Sequence, residues 1–190
     1  MMQNKKVVGI TGGSGSGKSH ISALLRASGF PVIDADEVAH DCLNKSGCIK
    51  ELVSEFGGGI LRNGLPDRKK LGEIVFSDAK KLEKLNEITH KYILSDIFDK
   101  ISASEGDTVF VDGAVLIESG MDCDFMVGVI ADKGIRKNRI IKRDKITETE
   151  AERRIFAQQE DSFYLENCDL VIENNSGEPD ISEIIKRLHI

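Results

Sequence analysis

Lys6-Val7-Val8-Gly9-Ile10-Thr11-Gly12-Gly13-Ser14-Gly15-Ser16-Gly17-Lys18-Ser19 decides the architecture of this 190-residue chain. Its first part is a short, β-branched apolar run without strict alternation, which suits a strand buried on both faces. Its second part fits G-x-x-x-x-G-K-[ST]. A helix follows from Ser19 to Ala27, with Ile21, Leu24, Leu25 and Ser28 on one face and Gly29 at its stop. Strand, glycine loop and helix are the setting in which that pattern holds phosphate. Glycines let the backbone curl until successive N–H groups point inward, and the helix N-terminus adds partial positive charge. Lys18 then reaches the β- and γ-phosphates, and the Ser19 hydroxyl can ligate Mg²⁺. The stretch predicts a nucleoside triphosphate site.

Further short apolar runs lie at Pro31 to Ile33, Thr108 to Val111, Phe125 to Ala131 and Leu170 to Ile172. Helical patterns separate them, so the expected fold class is α/β with a parallel sheet and right-handed crossovers. One interval is too long. About 70 residues separate the second strand from the third, where a simple crossover needs about a dozen. The interval reads as helical at Asp36 to Asn44, Ile49 to Phe56, Arg68 to Phe76 and Asp78 to Ser102, with turns at Gly57-Gly58-Gly59 and Asn63-Gly64. We therefore expect a nucleotide-binding core from 1–35 and 105–190, with a helical insert at 36–104 that walls a second substrate. Pro179 to Ile190 reads as a closing amphipathic helix.

Composition narrows the class. Lys and Arg number 26 against 32 acids, a formal charge of −6. A general nucleic-acid binder usually carries the opposite sign. No run approaches the ~20 apolar residues of a membrane span, and the N-terminal run is too short for a signal-peptide core. Cys42, Cys48, Cys123 and Cys168 form no C-x-x-C pair and lack zinc-spaced histidines. They read as reduced thiols of a cytoplasmic protein. Oligomeric state has no signal in the sequence.

Two constellations refine the chemistry. Asp34-Ala35-Asp36 ends the second strand, where ligands gather in open α/β sheets. A carboxylate there can take the proton of an attacking hydroxyl or cap a helix; we assign Asp34 to the metal and nucleotide side and Asp36 to the acceptor. Residues 133–145 hold seven basic side chains against Asp144. As a helix they align Arg136, Arg139 and Arg143, suiting a lid over about 133–150 that closes on phosphates. A guanine-reading Asn-Lys-x-Asp is missing: Asn44-Lys45-Ser46-Gly47 lacks the Asp. A compact kinase for a small molecule is the expectation that remains.

With these residues the chain resembles the dephospho-coenzyme A kinase family over nearly its whole length, from Val7 to about Gly177. The matching segments are Gly29-Phe30-Pro31-Val32-Ile33-Asp34-Ala35-Asp36, Val38-Ala39-His40, Gly64-Leu65-Pro66-Asp67-Arg68, Leu71, Val75-Phe76, Leu85 through His90 and Ile93. Arg139, Arg143-Asp144, Arg154 through Gln158 and Asp169-Leu170-Val171-Ile172-Glu173-Asn174 continue the series. The resemblance implies a P-loop NTPase-type five-stranded parallel sheet, a helical substrate insert and a helical lid. It implies transfer of the ATP γ-phosphoryl group to the ribose 3′-hydroxyl of dephospho-coenzyme A, with Mg²⁺ as metal. Carried over residue by residue, Asp36 is the base, with Lys18 and Arg143 also catalytic. Gly13, Ser14, Gly15, Ser16, Gly17, Lys18, Ser19, His20, Arg139, Arg143 and Asn174 hold ATP, and Ser19 holds the metal. Asp34, Asp36, Arg68 and His90 face the acceptor. The chain departs from the family at His20 (usually Thr), Lys91 (usually Pro) and Ala114-Val115-Leu116-Ile117-Glu118, where a proline is lost and the Glu kept. A nucleoside or nucleotide acceptor, or a nucleotide-binding module without catalysis, stay open as alternatives.

Overall fold

The computed structural model describes residues 5–76, 78–175 and 180–190. The expected limit of the family resemblance at Gly177 and the start of the closing helix at Pro179 lie outside the described residues. Two compact units divide the chain: Met1–Asp34 with Ile101–Ile190, and Ala35–Lys100.

The first unit is built on five parallel strands, β1 (Lys6–Thr11), β2 (Val32–Asp34), β5 (Thr108–Asp112), β6 (Phe125–Ile130) and β7 (Leu170–Glu173). Their order is β2-β5-β1-β6-β7. β1 pairs with β5 on one side and β6 on the other, with Ile10 opposite Asp112 and Val127. The chain therefore reverses its winding around β1, and the loop after β1 opens at the switch point where α/β sheets bind ligands. Helix α1 (Lys18–Ala27) lays fully buried Ile21 and Leu25 on the sheet, and α9 (Ser182–Leu188) adds Ile184 and Leu188. These meet Val8, Ile10, Phe110, Val127, Val129 and Leu170. Each such side chain contributes about 1.5–3 kcal/mol by burial. Phe30 stands edge-on to Phe110 at 5.5 Å, fixing the turn between α1 and β2. A rigid sheet under α1 keeps the glycine loop in one place.

Beyond β6 come α6 (Lys133–Asp144), α7 (Glu148–Phe156) and α8 (Asp161–Asn167). Ile140 of α6 packs on Ala151 and Ile155 of α7, with Ile141 and Ile146 beside them. Thr147 and Glu150 form a reciprocal capping box at the start of α7, which satisfies two orphan donors. Lys145 ends α6 in the left-handed region, at φ 54°.

The second unit holds α2 (Ala35–Asp41), α3 (Ser46–Phe56), the two-residue strands β3 (Leu61–Arg62) and β4 (Leu65–Pro66), α4 (Arg68–Val75) and most of α5 (Ala79–Ala103). It has its own core of Cys48, Leu52, Ile60, Leu71 and Ile88. The expectation here is helices broken by turns at Gly57-Gly58-Gly59 and Asn63-Gly64; the second turn proves to join a hairpin, β3 to β4, across Asn63 (φ 53°) and Gly64 (φ 82°). Both φ values are positive, as an Asn-Gly hairpin turn requires. Asp67 caps α4 by accepting from the Lys69 N–H at 2.9 Å and the Lys70 N–H at 3.3 Å. All four cysteines are free thiols, Cys42 and Cys48 fully buried. Burial, first of all, pushes the Cys42 thiol up to about 12.

Candidate active site

The loop from Gly12 to Gly17 curls because its glycines accept backbone angles that side chains resist. Gly15 lies at φ 81° and Gly17 at φ 100°, and a Cβ on Gly17 would collide with the Asn174 amide nitrogen. The loop carbonyls are held from outside. Arg136 Nε donates to Ser14 O at 3.0 Å. Arg139 Nη1 donates to Gly15 O at 3.2 Å and Ser16 O at 3.1 Å. Asn174 Nδ2 donates to Ser16 O at 2.8 Å. The Ser14 N–H is taken by Gln158 Oε1 and the Ser16 N–H by Gly13 O, and with the carbonyls fixed outward the remaining N–H groups make the anion nest. Arg143 Nη2 reaches Ser14 Oγ at 3.1 Å while the guanidinium also grips Asp144.

Lys18 forms an ion pair with Asp112, whose carboxylate is 5% exposed at the end of β5. Asp112 lies in register with Asp34 at the end of β2, so two carboxylates end adjacent strands. Ser16 Oγ and Asn174 Oδ1 are buried without a hydrogen-bond partner. Buried polar atoms are rarely left so, and these two border a curled loop with inward N–H groups. The cradle fits a polyphosphate. Oxygen donors of the kind Mg²⁺ takes alongside phosphates, the Ser19 hydroxyl and the Asp112 carboxylate, belong to the same unit.

The sequence-derived residues fall in two groups. Gly13 to His20, Asp34, Arg139, Arg143 and Asn174 belong to the first unit, with Ser19, His20 and Arg143 exposed and Asn174 buried. Asp36, Arg68 and His90 belong to the second and are exposed. There, Arg68 Nη1 lies 2.8 Å from His40 Nδ1. Asp36 sits on α2, two residues along the chain from Asp34. The expected alignment of three phosphate-facing arginines differs at its first member. Arg136 is 2% exposed and braces the loop from behind, because its fork fits Ser14 O and Gln158 Oε1 (2.7 Å) at once.

Sequence reading missed three roles. Asp112 ends an apolar strand at its carboxyl end, and that position was the available signal. Gln158, whose Oε1 accepts from the Ser14 N–H at 2.9 Å, stands in the sequence only as the end of the family-like segment Arg154 through Gln158, and Arg136 only as one of three aligned arginines. Neither signal shows the bracing role, since their partners are distant in sequence.

The family model described as Dephospho-CoA kinase matches residues 6–180. A dephospho-CoA kinase of Fusobacterium nucleatum subsp. nucleatum is 42% identical over 185 residues, covering 95% of each chain. Among solved structures, Thermus thermophilus TT1252 superposes with a TM-score of 0.86 at 29% identity, covering 98% of this chain and 97% of that one. A dephospho-CoA kinase from Campylobacter jejuni gives 0.61 at 26% identity, covering 97% and 96%.

Proposed function

The chain belongs to the dephospho-CoA kinase family, and from that premise we propose how its own residues move the γ-phosphoryl group of ATP to the ribose 3′-hydroxyl of dephospho-coenzyme A, the step that yields coenzyme A and ADP. The observation that carries the reading is the braced glycine cradle with Lys18 paired to Asp112.

The loop from Gly13 to Ser19 receives the β- and γ-phosphates on its backbone N–H groups other than those of Ser14 and Ser16, which Gln158 Oε1 and Gly13 O already take. Lys18 lies at the end of that cradle and turns its ammonium to the β,γ-bridging region. Asn174, with an unpartnered buried Oδ1, serves the nucleotide beside Gly17, and His20 lies one residue into α1 beyond Ser19. Mg²⁺, held by Ser19 and Asp112 with the phosphates, would neutralise charge building on the transferring group. Arg143, which reaches Ser14 Oγ, adds guanidinium charge there, and Arg139 lends its charge from the outer side of the loop.

Asp36 accepts the proton of the 3′-hydroxyl as its oxygen attacks the γ-phosphorus. The new O–P bond forms as the bond to the β-phosphate oxygen breaks. ADP leaves with the electron pair, and the proton passes from Asp36 to solvent. Arg68, His90 and Asp34 orient the acceptor. The free thiols support a cytoplasmic setting, and no helix among the described residues is long and apolar enough to cross a membrane.

A coupled assay tests the reading: ADP release should depend on dephospho-coenzyme A. Asp36→Asn should lower kcat by about 10²–10⁴-fold while KM for ATP stays within a few-fold. ADP release indifferent to the acceptor overturns the function; full turnover in Asp36→Asn removes that residue from its role.

A further inference from the structure

A cavity of about 250 Å³ opens in the first unit beside Gly12 and Gly13. Val115 and Phe156 give it apolar walls, and both are unusually open for large hydrophobic side chains, at 58% and 77% exposure. Glu118, Gln158, Gln159 and Tyr164 supply its polar groups. The Tyr164 ring is 2% exposed. Its phenol is pushed up by burial and then by the Glu118 charge, with Arg136 opposing, so the carboxylate and phenol stand within electrostatic reach. Lys133 lies 5.9 Å from the Phe156 ring centroid.

Position and size select the occupant. Asn174 and Arg139 crowd the Gly15 to Gly17 end of the loop, whereas the cavity touches only its first two glycines. The cavity therefore flanks the opposite end of the phosphate site from α1. Whole-ligand sites span about 300–1,000 Å³, so a space of this size takes one moiety. Within dephospho-coenzyme A the group nearest the reacting hydroxyl is the adenine, attached to the same ribose; the pantetheine arm lies beyond a diphosphate. An exposed phenylalanine beside an aliphatic wall offers a stacking face. Glu118, an acceptor-only group when ionised, matches the exocyclic amine of adenine.

Resting on the functional reading above, we infer that this cavity receives the adenine of the acceptor, with Phe156 as stacking platform and Glu118 as the group that reads the 6-amino substituent. A 6-oxo purine sets two acceptors against each other and leaves Glu118 unpaired, the arrangement that rejects an analogue most strongly.

The test compares dephospho-coenzyme A with its hypoxanthine analogue in steady-state assays of the full chain. Phe156→Ala should raise KM for dephospho-coenzyme A about tenfold, as losing a base–aromatic stack does, and leave KM for ATP unchanged. Glu118→Gln, whose amide can donate to a 6-oxo group, should narrow the ratio of kcat/KM between the two acceptors about tenfold or more. Calorimetric binding of dephospho-coenzyme A should weaken in parallel for Phe156→Ala. An active wild type whose two variants keep the acceptor KM and the base preference overturns the adenine site alone. A wild type silent toward dephospho-coenzyme A overturns the functional reading and this site with it.

Discussion

A guanidinium buried to 2% exposure needs an acceptor at each edge, and Arg136 finds them in Ser14 O and Gln158 Oε1, with Asp161 3.8 Å away. Gln158 in turn accepts the Ser14 N–H, so one arginine and one amide fix the first turn of the glycine loop. Lysine carries the same charge but not the planar fork. Arg136→Lys should therefore lose at least one of the two bonds and leave a buried acceptor unpaired, costing about 1–3 kcal/mol. Its KM for ATP should rise about tenfold while KM for the acceptor changes less, measured by steady-state kinetics alongside a thermal melt. An unaltered ATP KM would show that the loop keeps its shape without this brace. Lys18 and Ser19 were legible in the sequence because the loop motif is local. Arg136 bonds across 122 positions and Lys18 meets Asp112 across 94, distances at which spacing carries no information. Asp36 is marked by its place after a strand, and the Asp36→Asn assay tests its role.

Among elements, the five strands were readable because each is a compact β-branched run, and the structure moves their ends by only a residue or so. The β3–β4 hairpin was not, since two residues per strand show no alternation. The basic helix α6 differs in character from its sequence. Lys137 pairs with Glu148 and Glu152 of α7, and Asp144 is bound by Arg143 and Arg154, so acids from the next helix offset much of the charge that spacing had displayed. These carboxylates titrate low: Asp144 first through its bond to Arg143, Glu148 through Lys137, and Glu150 through Thr147. Folded values below the unfolded ones mean a contribution fully present above the ordinary carboxylate range, which is lost as pH falls through the depressed values. Thermal melts from about pH 6 to about pH 3 should fall more steeply for the wild type than for an Asp144→Asn, Glu150→Gln variant. Parallel slopes would mean that the α6–α7 pairing adds nothing to acid sensitivity.

At the scale of the molecule, the division into two units follows from one sequence fact, a crossover far longer than a parallel strand pair needs. Each unit closes its own hydrophobic core, Phe110 with Ile21 and Leu25 in one and Leu52 with Leu71 and Ile88 in the other. A ligand that binds the folded form alone stabilises by RT ln(1 + [L]/Kd), about 2.7 kcal/mol at a hundredfold excess over Kd. Unfolding entropy near 2.1 cal/mol/K per residue over 190 residues converts that to a rise of about 7 °C in melting temperature, if the units unfold together. If they unfold separately, the rise belongs to the transition of the unit holding Gly12 to Ser19, and it is larger because fewer residues share it. Lys18→Met removes the ammonium from the cradle and leaves Asp112 buried without its partner, so its baseline melting temperature should drop. The comparison is therefore the shift that Mg-ATP produces relative to each protein's own baseline, read by scanning calorimetry. That shift should fall to about a third or less in Lys18→Met, as expected where the β- and γ-phosphates lose a direct cation. Dephospho-coenzyme A, whose proposed adenine cavity is not lined by Lys18, should keep its own shift in the same variant. Equal ATP shifts in both proteins would place the triphosphate somewhere other than this loop.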